Sequence, residues 1–206
     1  MLEKLQNFIL IWITKLILQP IQYYVHLLLQ QMNALIDQAL ADEAVKGIIL
    51  TSGKKDFAAG MDLNVLADLR NASGENPAEG VFNGIQSIHQ IFRKIERAGM
   101  DAKTNKGGKP IATVLPGTAL GIGFELPLAT HRIFAADNPK AKIGLPEILV
   151  GLFPGAGGTI RLVRKLGAMV AAPFLLEGKT LPPAKAKAPR PRGRRRRTQK
   201  LPRIRV

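Results

Sequence analysis

Two glutamates set among glycines and apolar residues are the side chains of this chain best suited to proton transfer. Glu125 lies in the segment 121–126, GIGFEL, and Glu147 lies in the segment 144–148, GLPEI. No other charged residue lies in either segment. Removal from water raises the pKa of a carboxyl group toward neutrality, where it can exchange protons with a substrate. A pair of such groups predicts one acid and one base.

The turn before Glu125 predicts a place where negative charge is stabilised. Residues 109–115 are typical of a strand, and residues 121–131 are typical of a helix that begins at a glycine turn. The first N–H groups of a helix have no partner within it, and the helix dipole favours negative charge there. Gly121 and Gly123 let a ligand approach the backbone closely. These N–H groups could therefore stabilise an oxyanion within reach of Glu125.

A second loop, residues 57–62, has the same arrangement. It follows a predicted strand at 46–51 and leads into a predicted helix from Asp62 to Arg70, which Asp62 can cap. The two loops could supply two N–H donors to one carbonyl oxygen. Other interpretations stay open, because glycine turns between strands and helices are common and Glu147 could be a hydrogen-bonded loop carboxylate. The glycine spacings match neither a dinucleotide fingerprint nor a phosphate loop.

The elements that must position these residues alternate between strands and helices. Strands are predicted at 46–51, 109–115 and 132–136, and helices at 32–44, 79–97, 159–166 and 168–176. The apolar residues predicted to face inward from the longest helix are Phe82, Ile85, Ile88, Phe92 and Ile95. This alternation predicts parallel strand pairing in an α/β fold.

Composition divides the 206 residues into a head (1–31), a core (32–180) and a tail (181–206). The net charge of +15 is concentrated in the tail, whose eleven Lys and Arg leave +4 for the rest. The tail is predicted to be disordered, with nucleic acid or anionic lipid as an alternative partner. The head is predicted to be an apolar helix, buried or facing a partner. Membrane association and an origin foreign to the domain are the alternatives.

Cysteine and histidine content exclude some chemistry. The chain has no cysteine, which rules out disulfides and thiolate metal sites and fits a reducing, cytoplasmic location. The three histidines are widely spaced, so a zinc site is not predicted.

Three segments together resemble a known family, the crotonase superfamily, also called enoyl-CoA hydratase/isomerase. They are residues 57–63, 117–126, and 144–147 with 151–161, and the resemblance extends over about residues 33–188. It is strongest to the hydratase region at the N-terminus of bifunctional fatty-acid oxidation proteins. It implies an α/β fold with a crotonase-like ββα spiral core, expected here to be incomplete at both ends. The head is expected to lack the strand pair with which that fold usually begins.

The resemblance also implies roles for individual residues. The thioester carbonyl of an acyl-CoA would lie between the backbone N–H groups of Met61 and Ile122. Glu125 would activate water for attack at Cβ, and Glu147 would deliver a proton to Cα. The substrate-binding positions implied are Ala59, Gly60, Met61, Asp62, Leu63, Asn64, Gly121 and Ile122. No metal or redox cofactor is implied, since the acyl-CoA is the substrate.

The function implied is a 2-enoyl-CoA hydratase of fatty-acid β-oxidation, with Δ3-Δ2 enoyl-CoA isomerase activity as a companion. The family's usual partners would be two further copies in a homo-trimer, or a fused 3-hydroxyacyl-CoA dehydrogenase region. Two alternatives remain at this point: a module that binds acyl-CoA with little or no turnover, and polyanion binding through the tail.

Overall fold

The computed structural model describes residues 2–5, 8–12, 24–61 and 76–186. The predicted helix from Asp62 to Arg70 lies outside these ranges, as do Leu63, Asn64 and tail residues 187–206. The disorder and the polyanion contacts of residues 187–206 therefore stay predictions.

The described residues form eight strands and five α-helices. The strands are β1 (Leu2–Leu5), β2 (Phe8–Trp12), β3 (Gly47–Thr51), β4 (Ile111–Leu115), β5 (Ala119–Leu120), β6 (Arg132–Ala135), β7 (Ile143–Gly144) and β8 (Thr180–Leu181). The helices are α1 (Tyr24–Ala41), α2 (Pro77–Arg97), α3 (Ile122–Ala129), α4 (Gly158–Leu166) and α5 (Ala168–Leu176). Two 3₁₀ turns cover Glu147–Val150 and Pro183–Lys185.

The larger sheet has the strand order β1-β2-β3-β4-β6. Strands β2, β3, β4 and β6 are parallel, whereas β1 pairs with β2 antiparallel. The parallel pairing predicted from the alternation of strands and helices is thus confirmed. The buried strand β3 and the alternately buried strand β4 bring their carboxyl ends toward the predicted site loops.

The prediction of a helical head is wrong for residues 2–5 and 8–12 and is confirmed for residues 24–31, which begin α1. The head contributes strands β1 and β2, and Phe8–Trp12 pairs in parallel with Gly47–Thr51. The strand pair expected to be missing is therefore present. A short apolar run without polar alternation fits a buried helix and a buried strand equally well, so periodicity could not decide between them. Helix α1 also crosses the predicted boundary at residue 32, since it begins at Tyr24.

The predicted start of the tail at residue 181 is also wrong. Leu181 belongs to β8, which pairs with β7, and β7 pairs with β5. A small second sheet of three two-residue strands results. Strands this short carry almost no sequence signal, because two residues cannot show an alternation. This sheet places Gly144, and hence the Glu147 turn, beside the beginning of α3.

Helix α2 is amphipathic as predicted, but its apolar face is buried only toward the C-terminus. Phe92 and Ile95 are buried and Ile88 is partly buried, whereas Phe82 is 60% and Ile85 36% exposed. The prediction that Phe82 and Ile85 face inward is therefore wrong. Its contacts with α1, through Lys94, and with α4, through Phe92 and Glu96, lie in the C-terminal part of the helix.

Lys109 ties α1 to the sheet. Its Nζ donates to the carbonyl oxygens of Ala39, Leu40 and Asp42 at 2.7–2.9 Å. A cation at the C-terminal end of a helix satisfies carbonyls that have no intrahelical partner. The core beneath α1 and α2 includes Ile36, Ile48 and Ile111.

Candidate active site

The two predicted site loops run side by side. Ala58 forms a parallel bridge with Ala119, and the Leu120 N–H donates to the Ala58 carbonyl at 2.9 Å. Helix α3 approaches the same residue so closely that a Cβ at Gly123 would lie 2.5 Å from the Ala58 Cβ. Glycine at position 123 is therefore required by packing. The loop ending at Met61 is held against the first turn of α3.

The start of α3 has the geometry of a backbone anion site. Gly121 precedes the helix with φ of 55°, and its carbonyl accepts from the Phe124 and Glu125 N–H groups at 2.7 and 3.0 Å. Ile122 is the first helical residue, so its N–H has no acceptor within the helix. A Cβ at Gly121 would lie 3.6 Å from the Gly60 Cα, which brings the Met61 segment to this point.

Glu125 is buried and held by two backbone donors. Its side chain is 2% exposed, and Oε1 accepts from the Ala156 N–H at 2.9 Å and the Gly158 N–H at 2.7 Å. Burial raises the pKa of Glu125 to about 7, and the charge of Glu147 adds to the rise. The hydrogen bonds from Gly158 and Ala156 and the charge of Arg161 oppose that rise. The burial predicted for Glu125 is confirmed.

The turn 155–158 fits closely around the Glu125 side chain. A Cβ at Gly158 would lie 2.7 Å from the Glu125 Cγ and 2.8 Å from its Oε1. Only a residue without a side chain lets the Gly158 N–H come so near the carboxylate. The glycine-rich segment before α4 thus has the specific task of enclosing Glu125.

Glu147 is the first residue of the 3₁₀ turn and lies on the other side of Gly121. A Cβ at Gly121 would be 3.5 Å from the Glu147 Oε1. The side chain is half-buried, and burial raises its pKa. Its buried Oε2 has no hydrogen-bond partner among the described residues. A buried acceptor without a donor is unfavourable, so this oxygen is disposed to bind a substrate group or to carry a proton.

Three residues that support the site were not among the predicted site residues. His89 Nε2 lies 2.6 Å from the Gly155 carbonyl oxygen, and an Arg161 terminal nitrogen donates to the Ala156 carbonyl at 2.8 Å. Glu96 carries an oxygen 3.6 Å from the Arg161 guanidinium. Arg161 could have been noticed, because it lies within the third family-like segment. No sequence pattern connects His89 or Glu96 with residues more than 60 positions away.

The remaining predicted binding positions divide into three groups. Ala59 and Gly60 are exposed, and Met61 is half-buried, so the loop is accessible on one side. Ile122 packs its side chain partly against the core. Asp62, Leu63 and Asn64 lie outside the described residues.

The part of the chain that the structure describes contains neither a candidate metal site nor a membrane-spanning helix. No group of three or more His, Asp or Glu side chains there could hold a metal ion. No helix within the same ranges is long and apolar enough to cross a membrane.

Comparison with solved structures supports the fold. The chain is similar to an enoyl-CoA hydratase from Bacillus anthracis with a TM-score of 0.71 and 26% identity, covering 90% of this chain and 65% of that one. A similar match, with a TM-score of 0.70 and 25% identity, is an enoyl-CoA hydratase from Thermoplasma volcanium, of which 66% is covered. The fold and the glycine-bounded carboxylates together define a protein of the crotonase class.

Sequence comparison gives the family. The enoyl-CoA hydratase/isomerase family model matches residues 25–189. The chain is also 34% identical over 157 residues to the fatty acid oxidation complex subunit alpha of Shewanella halifaxensis. That match covers 76% of this chain but only 20% of the relative, so the chain spans about a fifth of the curated relatives' length. The chain belongs to the enoyl-CoA hydratase/isomerase family.

Proposed function

We propose that this chain acts as a 2-enoyl-CoA hydratase, adding water across the double bond of a trans-2-enoyl-CoA thioester. The observation that carries the proposal is the pairing of a buried carboxyl group, Glu125 in the first turn of α3, with the half-buried Glu147, which lies close to Gly121 and whose charge acts on Glu125. Membership of the family supports the reaction class.

In the proposed reaction, Glu125 takes a proton from water as the water oxygen bonds to Cβ of the substrate. The π electrons of the double bond shift toward the thioester, so negative charge develops on its carbonyl oxygen. The N–H groups of Met61 and Ile122 are proposed to stabilise that oxygen, which needs no reorganisation of the site. Glu147 then gives its proton to Cα, and the product is a 3-hydroxyacyl-CoA.

One proton shared by the two carboxyl groups is enough for both reaction directions. Hydration starts with this proton on Glu147 and ends with it on Glu125; dehydration runs in reverse. Two neighbouring carboxyl groups titrate as a pair, because each charge disfavours the other. In the site without substrate, the proton is expected on Glu125 rather than on Glu147, because Glu125 is more deeply buried. The pair is therefore proposed to hold a single proton just below pH 7.

Further parts of the proposal concern the binding positions and partners. Ala59, Gly60 and Gly121, with the undescribed Asp62, Leu63 and Asn64, are proposed to line the acyl-CoA groove. The name of the Shewanella halifaxensis relative supports a place in fatty-acid oxidation, where a dehydrogenase would consume the product. Exposed apolar residues such as Leu149, Phe153 and Met169 support contact with other copies or domains, as in the expected homo-trimer.

A second candidate is a module that binds acyl-CoA without turnover. It is favoured by the exposure of Ile148, Leu149 and Val150, which directly follow Glu147. Among the described residues, the Glu147 turn contacts α5, and Ile148 and Leu149 lie close to Gly178, so the turn is held on one face and exposed on the other. In this alternative the site would bind the thioester, but Glu147 would not hold a productive geometry.

The test is hydration of crotonyl-CoA by the purified chain, followed by the loss of enoyl-thioester absorbance. Glu125→Gln and Glu147→Gln are the matched variants, with thermal melting as the check of folding. Turnover that both variants abolish supports the proposal, whereas turnover unchanged in both contradicts it. Binding of crotonyl-CoA without turnover favours the second candidate. Transfer of the double bond in a 3-enoyl-CoA tests the companion isomerase activity, and the mass in solution tests the trimer.

A further inference from the structure

The Glu125 carboxylate is held by a turn that contains three glycines, Gly155, Gly157 and Gly158. Glycine restricts the backbone less than other residues, so such a turn is not rigid by itself. Yet both N–H donors to Glu125 come from it, at Ala156 and Gly158. The direction of these two N–H groups therefore depends on contacts between the turn and other parts of the protein.

One such contact is made by His89 on α2. Its Nε2 lies 2.6 Å from the Gly155 carbonyl oxygen, so in this tautomer Nε2–H donates. The Gly155 carbonyl and the Ala156 N–H belong to the same planar peptide unit. The carbonyl and the N–H point in opposite directions within that plane. Holding the carbonyl oxygen in place therefore also holds the direction of the N–H. That N–H is the 2.9 Å donor to the Glu125 Oε1.

The other contact is made by Arg161 on α4. One terminal nitrogen donates to the Ala156 carbonyl at 2.8 Å, which holds the next peptide unit of the turn. A Cβ at Gly157 would lie 2.6 Å from this nitrogen, so the guanidinium lies directly on the turn. The Arg161 side chain is only 11% exposed.

Helix α2 also holds the far side of Arg161. The second terminal nitrogen is 3.6 Å from a Glu96 carboxylate oxygen, and that oxygen accepts from Arg93 at 2.6 Å. The guanidinium carbon lies 5.9 Å from the centre of the Phe92 ring. A half-buried ion pair and an aromatic face thus restrain Arg161 at the position where it contacts the turn.

We propose that His89 and Arg161 are positioning residues, which hold the turn 155–158 so that its Ala156 and Gly158 N–H groups fix the Glu125 carboxylate. This inference rests on the proposed function, because it assigns the turn a task in placing the proposed base. Neither residue contacts the reacting atoms. His89 holds the peptide unit that carries the Ala156 N–H, and Arg161 holds the unit between Ala156 and Gly157, which joins the two donors to Glu125.

The positive charge of Arg161 has a second effect on the same group. Two charged neighbours act on Glu125 in opposite directions. The charge of Glu147 raises the pKa of Glu125, and the charge of Arg161 lowers it. Loss of Arg161 removes a charge that favours the ionised carboxylate. Loosening the turn removes hydrogen bonds that favour it as well. Both consequences raise the pKa of Glu125.

The experiment compares Arg161→Gln and Arg161→Lys with the control Arg164→Gln. Arg164 lies one turn further along α4, is exposed, and has no hydrogen bond to the turn. The Glu125 pKa is read from the carboxyl ¹³C signal of labelled glutamate, assigned with Glu125→Gln, and kcat and KM are read from crotonyl-CoA hydration. Arg161→Gln should raise the pKa and lower kcat about 10- to 100-fold, with a smaller change in KM. Arg161→Lys should recover part of the loss, and Arg164→Gln should resemble the parent.

His89→Ala and His89→Gln form the second pair. Alanine removes the donor to Gly155, whereas the glutamine amide can replace it, so only His89→Ala should lower kcat. This pair keeps the inference testable if Arg161→Gln fails to fold. An unchanged or lowered Glu125 pKa in folded Arg161→Gln, together with unchanged kcat in His89→Ala, would overturn the inference. If the parent chain hydrates nothing, the proposed function fails while the ¹³C titration still decides the role of Arg161.

Discussion

Burial raises the pKa of both Glu125 and Glu147, yet the surroundings of the two carboxyl groups differ. Glu125 is almost wholly buried, and one oxygen accepts two backbone hydrogen bonds. Glu147 is half-buried, and its Oε2 has no partner among the described residues. The first carboxylate is fixed in position before any substrate arrives, whereas the second keeps an oxygen available. The difference suits a fixed group that orients water and a freer group that follows the substrate carbon.

The largest effect should come from removing either carboxyl group. Glu125→Gln and Glu147→Gln should each lower kcat for hydration by about 10³-fold, because each deletes one proton-transfer step. The double variant should lose hardly more than either single variant, since the two groups act as one unit. Losses that multiply in the double variant would mean that the carboxylates work independently.

A second test moves Glu125 and leaves Glu147 in place. Gly158→Ala introduces a Cβ within 2.7 Å of the Glu125 Cγ, so the side chain or the turn must shift. We expect kcat to fall about 100-fold, as for a displacement of roughly 1 Å in a catalytic group. The control is Gly155→Ala, whose Cβ meets only an ordinary 3.9 Å contact with the Phe153 carbonyl. Equal losses in the two variants would contradict the fit of the turn around Glu125.

A third test uses stability, which does not depend on activity. The Glu125 pKa rises from 4.5 to about 7 on folding, so between these values the folded chain keeps a proton that the unfolded chain releases. Stability contributed by that proton is complete below pH 4.5, declines as pH increases, and is lost above about pH 7. Glu125→Gln should therefore be more stable than the parent at pH 8, by roughly 3 kcal/mol, and not at pH 4.

Thermal or urea unfolding at both pH values measures this difference. Glu147→Gln serves as the comparison and should show a smaller gain, because Glu147 is less deeply buried. A larger gain for Glu147→Gln would reverse the assignment of the more strongly buried carboxyl group.

The smallest effect is the pH dependence of hydration. If the pair works with one shared proton, kcat/KM should fall about tenfold per pH unit above about pH 7, where the pair has lost that proton and Glu147 has none to give to Cα. It should also fall at acid pH, when both groups are protonated. A rate that keeps increasing above pH 8 would show that the reaction needs no proton held by the pair.

Much of this site could be predicted from short segments of sequence. The helix predicted at 159–166, the glycine turn at 121 and the burial of Glu125 follow from local glycine and apolar patterns, and the structure confirms them, with the helix beginning one residue earlier at Gly158. The head was assigned wrongly, because a five-residue apolar run becomes a strand only when β3 offers an edge to pair with. Phe82 and Ile85 were assigned wrongly, because burial on an amphipathic helix requires a partner at each turn.

By itself, the sequence identified the two carboxylates that are proposed to carry protons, each beside glycines and apolar residues. Tertiary structure alone decided how differently the two are held. The bond between His89 and Gly155 joins residues 66 positions apart, and the bonds from the turn to Glu125 join residues 31 and 33 positions apart. Such contacts depend on how α2, α3 and α4 pack together. Local pattern can therefore identify a carboxylate, but only packing sets its pKa and its direction.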